Sequence, residues 1–120
     1  MRKYVVIDDV PPFEQVGECG GRGAIIIRRL LGPEQFKSDI DFIDFKIVPP
    51  GSTIGRHYDH GSEKAYIITK GQPLMRIDGE MMRVAAGFVA VVRAHEWHEL
   101  INDTGENVYI FVIQVSLSEM

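Results

Sequence analysis

Turn signals interrupt this chain at intervals of roughly 8–12 residues, the rhythm of a β-sandwich or barrel. Between them lie short runs of β-branched and aromatic residues, and no segment keeps a helical period beyond one turn. Ala24 to Leu31 (AIIIRRLL) reads as a strand running into Gly32-Pro33, and Pro33 to Lys37 has room for one helical turn. Asp41 to Val48 (DFIDFKIV) stops at Pro49-Pro50, a strand breaker. Ala65 to Thr69 (AYIIT) ends before Gly71. Leu74 to Ile77 and Met81 to Val84 flank Asp78-Gly79, which tolerates positive φ at both positions and so predicts a tight hairpin. Phe88 to Val92 is continuously apolar, which predicts a strand buried on both faces, and Asn107 to Val115 follows the turn Asp103-Thr104-Gly105. Tyr4 to Ile7 is a further short strand candidate, and the Pro- and Gly-rich stretch Val10 to Gly23 reads as an ordered loop or arm. The fold class is all-β.

A chain of 120 residues suits one domain with one core. Its formal net charge of −4 argues against nucleic acid as a partner. Cys19 is the only cysteine, so neither an internal disulfide nor a thiolate cluster can form within one chain. No apolar run approaches the roughly 20 residues that span a bilayer, and the N-terminal residues do not read as a secretion signal. The expectation is a cytoplasmic protein with no membrane partner.

Two segments carry the chemistry. In the first, five residues separate Gly51 from His57, Asp59 follows two after His57, and six residues separate Lys64 from Gly71. On a regular strand His57 and Asp59 share one face, as do Lys64, Tyr66 and Ile68. In the second, Gly87 precedes Arg93 by five intervening residues, His98 follows His95 after two more, and Asn102 follows His98 after three. Arg76 and Arg93 are candidate anion contacts, and His95 and Trp97 candidate rim residues.

This spacing resembles the two signature motifs of the cupin family. The first is Gly, five residues, His-x-His, three or four residues, Glu, six residues, Gly; the second is Gly, five residues, Pro-x-Gly, two residues, His, three residues, Asn. The resemblance implies a jelly-roll β-barrel (double-stranded β-helix), with residues 41–116 as the barrel core and residues 1–40 as N-terminal strands and an arm. It implies a homodimer, with Met1 to Ile7 available to join the partner's sheet. It also implies a divalent metal ion inside the barrel (Fe, Mn, Ni or Zn). His57 and His98 match ligand histidines, and Asp59 stands where the motif has its second histidine. The glutamate position falls on Glu63 or Lys64, and the six-residue spacing to Gly71 favours Lys64. Asn102, despite its motif position, reads as a structural loop residue.

Two mechanisms are open to such a site. With a metal, His57 and His98 supply imidazole nitrogens and Asp59, His60 or Glu63 completes the set, helped by a bulge near Asp59-His60-Gly61. Without one, a Lys64–Asp59 ion pair fills the space, and His57 and His98 move protons. Either suits an enzyme acting on a small-molecule substrate (an isomerase, cyclase, lyase or dioxygenase), with His57, Asp59, Lys64 and His98 as catalytic residues. The alternative is a small-molecule binding protein without turnover.

Overall fold

The structure, a computed structural model, describes residues 2–118. Its strands are β1 (Phe13–Val16), β2 (Ala24–Leu31), β3 (Ile40–Val48), β4 (Thr53–His57), β5 (Ser62–Lys70), β6 (Leu74–Ile77), β7 (Glu80–Arg83), β8 (Val89–Val92), β9 (His98–Ile101) and β10 (Val108–Ser116). All pairings are antiparallel. The larger sheet has the order β1-β2-β3-β10-β5-β8 and the smaller β4-β9-β6-β7. Strands far apart in the chain lie side by side, β3 against β10 and β4 against β9, so the connections cross between sheets as in a jelly-roll barrel. Among the described residues the helical elements are three short 3-10 turns, at Ile7–Asp9, Glu18–Gly20 and Pro33–Gln35.

Alternation sorts each strand into an inner and an outer face. The inner faces bring Ile25 and Ile27, Val48, Ile54, Tyr66 and Ile68, Met75, Val92, Leu100, and Val108, Ile110 and Val112 into one core cluster. Asp44 joins the inner side of β3 at 1% exposure and forms a two-pronged pair with Arg29 at 2.7 and 3.0 Å. Asn102 is fully buried just beyond β9. Its side-chain amide donates to the carbonyls of Val48 and Glu106, and its oxygen accepts from the backbone and hydroxyl of Thr104. It satisfies four hydrogen bonds in one place, which makes it a structural residue that locks one end of the barrel.

Three expectations are corrected. Tyr4 to Ile7 forms no strand: Ile7 begins a 3-10 turn, and Val5, Val6 and Ile7 line a groove with Arg28, Phe45, Ile47 and Tyr109. These residues face the outer side of the large sheet across that groove instead of pairing at its edge, and Val5 and Val6 stay exposed; Met1 lies outside the described residues. Val10 to Gly23 is not all loop, because β1 arises within it and pairs with β2. Val89 and Val91 are 65% and 58% exposed and only Val92 is buried, because β8 is an edge strand with one open face.

β4 holds the site because of how it is bent and backed. Its pairing with β9 shifts register between Ile54 and His57. A bulge of this kind inserts one residue and reverses the facing of the residues after it. Ile54 points inward, Arg56 is exposed, and His57 turns in. The turn at Glu18–Gly20 and the chain after it lie directly on β4: the Thr53 N–H donates to the Arg22 carbonyl at 2.9 Å and the Arg22 N–H to Thr53 Oγ1 at 2.8 Å. A Cβ on Gly55 would collide with the Cys19 carbonyl and lie 2.6 Å from the Gly21 nitrogen. Gly55→Ala should therefore destabilise the barrel by about 2 kcal/mol, measured by urea unfolding. A cost below ~0.5 kcal/mol would show that the turn yields freely.

Candidate metal centre

His57 and His98 are directly paired across β4 and β9, and their ring centroids lie 4.0 Å apart. His98 shares the inward face of β9 with Leu100, and the β4 bulge brings His57 to meet it. Each ring is fixed by its own backbone. His57 Nδ1 lies 2.7 Å from the Gly55 carbonyl and His98 Nδ1 3.1 Å from the Glu96 carbonyl. A carbonyl can only accept, so Nδ1 carries the proton in both rings and Nε2 carries the lone pair. Both Nε2 atoms are buried without a hydrogen-bond partner. Two buried lone pairs facing one space call for a shared electrophile, a proton or a metal ion.

Asp59 completes the group: one ligand atom each from His57, Asp59 and His98 lies within 4.8 Å of the others. Asp59 is not on the strand, which ends at His57; it arrives from the following loop. That loop is tied to the one before β9 by the His95 N–H donating to the Asp59 carbonyl at 2.8 Å. His95 itself has φ of 67°, a left-handed conformation uncommon for a residue with a side chain.

Lys64 extends from β5 on the inward face it shares with Tyr66 and Ile68. Its ammonium lies 3.2 Å from the Asp59 carboxylate, with the two side chains 13% and 25% exposed. Glu63 is one residue off that face and His60 is exposed, and neither belongs to the trio. His60 packs its ring at 5.0 Å from Tyr58 and 5.2 Å from His95. The bulge expected near Asp59-His60-Gly61 lies instead between Ile54 and His57. Arg76 pairs with Glu99 and Arg93 with Glu96, so both are engaged outside the histidine group.

The donor set suits a divalent ion. Second-coordination hydrogen bonds from Nδ1 to carbonyls are how proteins aim histidine ligands, and two imidazoles with a carboxylate match Fe, Mn, Ni or Zn. Lys64 opposes this, since its ammonium competes for the carboxylate and is repelled by a nearby dication. The electrostatics favour neutral histidines. Burial lowers the His57 pKa, with Lys64 adding to the effect. Burial, then repulsion from His57, brings His98 down to about 4. Burial raises the Tyr66 hydroxyl well above its ordinary range, so it stays protonated beside His98, 5.7 Å away between ring centroids.

Glu18 and Lys46 also reach this interior, paired at 3.2 Å with side-chain exposures of 17% and 12%. Motif spacing does not reach either residue. The signal was the polar Asp44 and Lys46 at the inward parity of a strand that ends in the buried Val48.

The pattern described as Cupin domain matches residues 45–114, more than half of the chain. The chain belongs to the cupin family. Among relatives, this cupin is 28% identical over 98 residues to a Thermotoga maritima protein described as an oxalate-binding protein, covering 82% of this chain and 80% of that one. Its fold is similar to a crystal structure from the same organism described as a predicted oxalate decarboxylase, with a TM-score of 0.90 at 23% identity over 94% and 98% of the two chains. It is also similar to the polyketide cyclase RemF of Streptomyces resistomycificus, with a TM-score of 0.77 at 21% identity over 98% and 81%. These structural likenesses bear on the fold.

The histidine pair makes the metal-free barrel sensitive to acid. Both pKa values sit below the unfolded value near 6.5, so below that pH the unfolded chain binds more protons. Stability is complete above about pH 6.5 and falls as pH drops toward 4. Allowing for screening at the barrel mouth, His98 contributes a loss of about 2 kcal/mol across that window. Urea unfolding at pH 7, 5.5 and 4.5 checks it: His98→Gln should flatten the slope, and an unchanged slope would place its origin elsewhere.

Proposed function

We propose that this cupin is a small-molecule enzyme working inside the barrel on a small carboxylic acid, with a divalent metal ion held by His57, Asp59 and His98. The observation that carries this is the pair of buried, unpartnered Nε2 lone pairs aimed at one space. The relative described as an oxalate-binding protein supports the ligand class. The reaction belongs among isomerase, cyclase, lyase and dioxygenase chemistry.

An ion bound there would act as a Lewis acid on a ligand oxygen. The remaining work falls to the chain. His57 and His98 remain neutral near pH 7 and so keep their lone pairs available. Lys64 holds Asp59 in place and offers a cation to an incoming carboxylate. Tyr66 keeps its proton and can donate it in a hydrogen bond. The apolar core below the site limits water, so these contacts act in a low dielectric.

The Lys64–Asp59 contact favours a second reading. There the ion pair takes the place of the metal, and the histidines serve acid–base chemistry or ligand binding without turnover. Elemental analysis separates the two after incubation with Fe(II), Mn(II), Ni(II) and Zn(II). We expect about one equivalent of metal in the native protein and none in folded His57→Ala/His98→Ala. Lys64→Glu should tighten binding by roughly tenfold or more. No metal in either the native protein or Lys64→Glu would leave the metal-free reading. Oxalate binding retained by the folded double histidine variant would remove the site from this place altogether.

The same proposal includes a cytoplasmic homodimer. In support, β1 is an edge strand with all four residues exposed, and Tyr4, Val6, Phe13, Val16, Val89 and Val91 leave apolar surface on the large sheet's side of the molecule. Among the described residues no helix is long and apolar enough to cross a membrane. Light scattering should give twice the chain mass, and Val16→Lys should shift it toward the monomer. A native mass equal to one chain would remove the dimer.

A further inference from the structure

Glu18 and Lys46 form a second ammonium–carboxylate pair inside the barrel, at the same 3.2 Å separation as Lys64 and Asp59. Lys46 shares the inward face of β3 with Asp44 and Val48, which are 1% and 0% exposed. Its partner Glu18 is followed by Cys19, whose carbonyl packs on Gly55 of β4, and the Gly55 carbonyl in turn holds His57 Nδ1 at 2.7 Å, so the pair lies beside the histidine site. The barrel interior thus carries two imidazole lone pairs and two ammoniums, each ammonium paired with a carboxylate of the chain itself.

Charges placed there are costly. Desolvating both ions of a pair opposes folding, and a methionine or leucine pair would fill the same space without that cost. The two carboxylates are also held differently. Lys46 stands in the middle of a nine-residue strand flanked by β2 and β10. Glu18 stands on a turn outside either sheet, closed by Gly20 N–H to the Gly17 carbonyl and Gly21 N–H to the Glu18 carbonyl, each at 2.9 Å. The carboxylate is the partner that can swing away.

We propose that Lys46 is a second anchor for an anionic ligand in the barrel, and that the Glu18 carboxylate occupies the anchor until a ligand carboxylate displaces it. This rests on the reading that the interior takes a small carboxylic acid, and it narrows that class to acids with two carboxylates. One carboxylate of the ligand meets the Lys64 side of the site and the other meets Lys46. Glu18 sets the threshold for entry, because a ligand must compete with it.

Calorimetric titration of the native protein with sodium oxalate and sodium acetate tests this, with metal content matched among variants. Oxalate should bind more tightly than acetate. Glu18→Gln removes the internal competitor and should tighten oxalate binding roughly tenfold, while Lys46→Met should weaken it by a similar factor and narrow the preference over acetate. Hydrogen exchange at Gly20 and Gly21 should quicken in ligand-free Glu18→Gln and in the native protein with oxalate. Oxalate binding that Lys64→Met weakens, but that neither Glu18→Gln nor Lys46→Met alters, would overturn this proposal and leave the small-acid reading standing. Absence of oxalate binding in the native protein and in Glu18→Gln alike would overturn both. If Lys46→Met fails to fold, Glu18→Gln decides the matter alone, since it replaces a residue on a turn with one of the same size.

Discussion

Burying two imidazole rings against each other is the constraint around which the interior is organised. His57 and His98 lie opposite on neighbouring strands, and each gives its only N–H to a carbonyl of its own strand or the turn before it. That leaves two buried Nε2 lone pairs without a hydrogen-bond partner. The β4 bulge supplies His57, since without the extra residue the strand would turn Arg56 inward and His57 out. The bulge in turn survives because Gly55 lets the backbone of Cys19 and Gly21 press against it. Fold, wall and site thus share one short stretch of chain.

Around the rings, the balance of charge decides what chemistry is open. The same Asp59 that can complete a metal's donors also neutralises Lys64, so cation and metal compete for one carboxylate. Glu18 and Lys46 repeat the arrangement across the interior. The site is neutral in sum, yet each cation can be freed by moving one acid. This differs from a barrel whose donors are all carboxylates and imidazoles, where only a metal ion or bound protons balance the charge.

Much of the architecture was legible in the sequence. Strand runs between turn signals outlined most of the elements because burial in a barrel imposes alternation and close turns. Gly71 illustrates the point: its φ of 94° admits few side chains, so the spacing to it fixes the register of β5 and the inward facing of Lys64. Features set by context stayed hidden. The position of Asp59 depends on a loop, the facing of His57 on a bulge that no residue type announces, and the exposure of Val89 and Val91 on the place of β8 in the sheet order. Glu18 was hidden because its relevance comes from a turn folded back over a strand distant in sequence.

Asn102 shows how the two ends of β9 divide their work. Its four hydrogen bonds bind the end of β3, the turn at Thr104 and the carbonyl of Glu106 into one fastening just past β9. His98 begins that same strand, at its opposite end. The histidine pair therefore stands at the end of β9 away from this fastening, where the rings of Tyr58, His60, His95 and Trp97 gather beside the Asp59 loop.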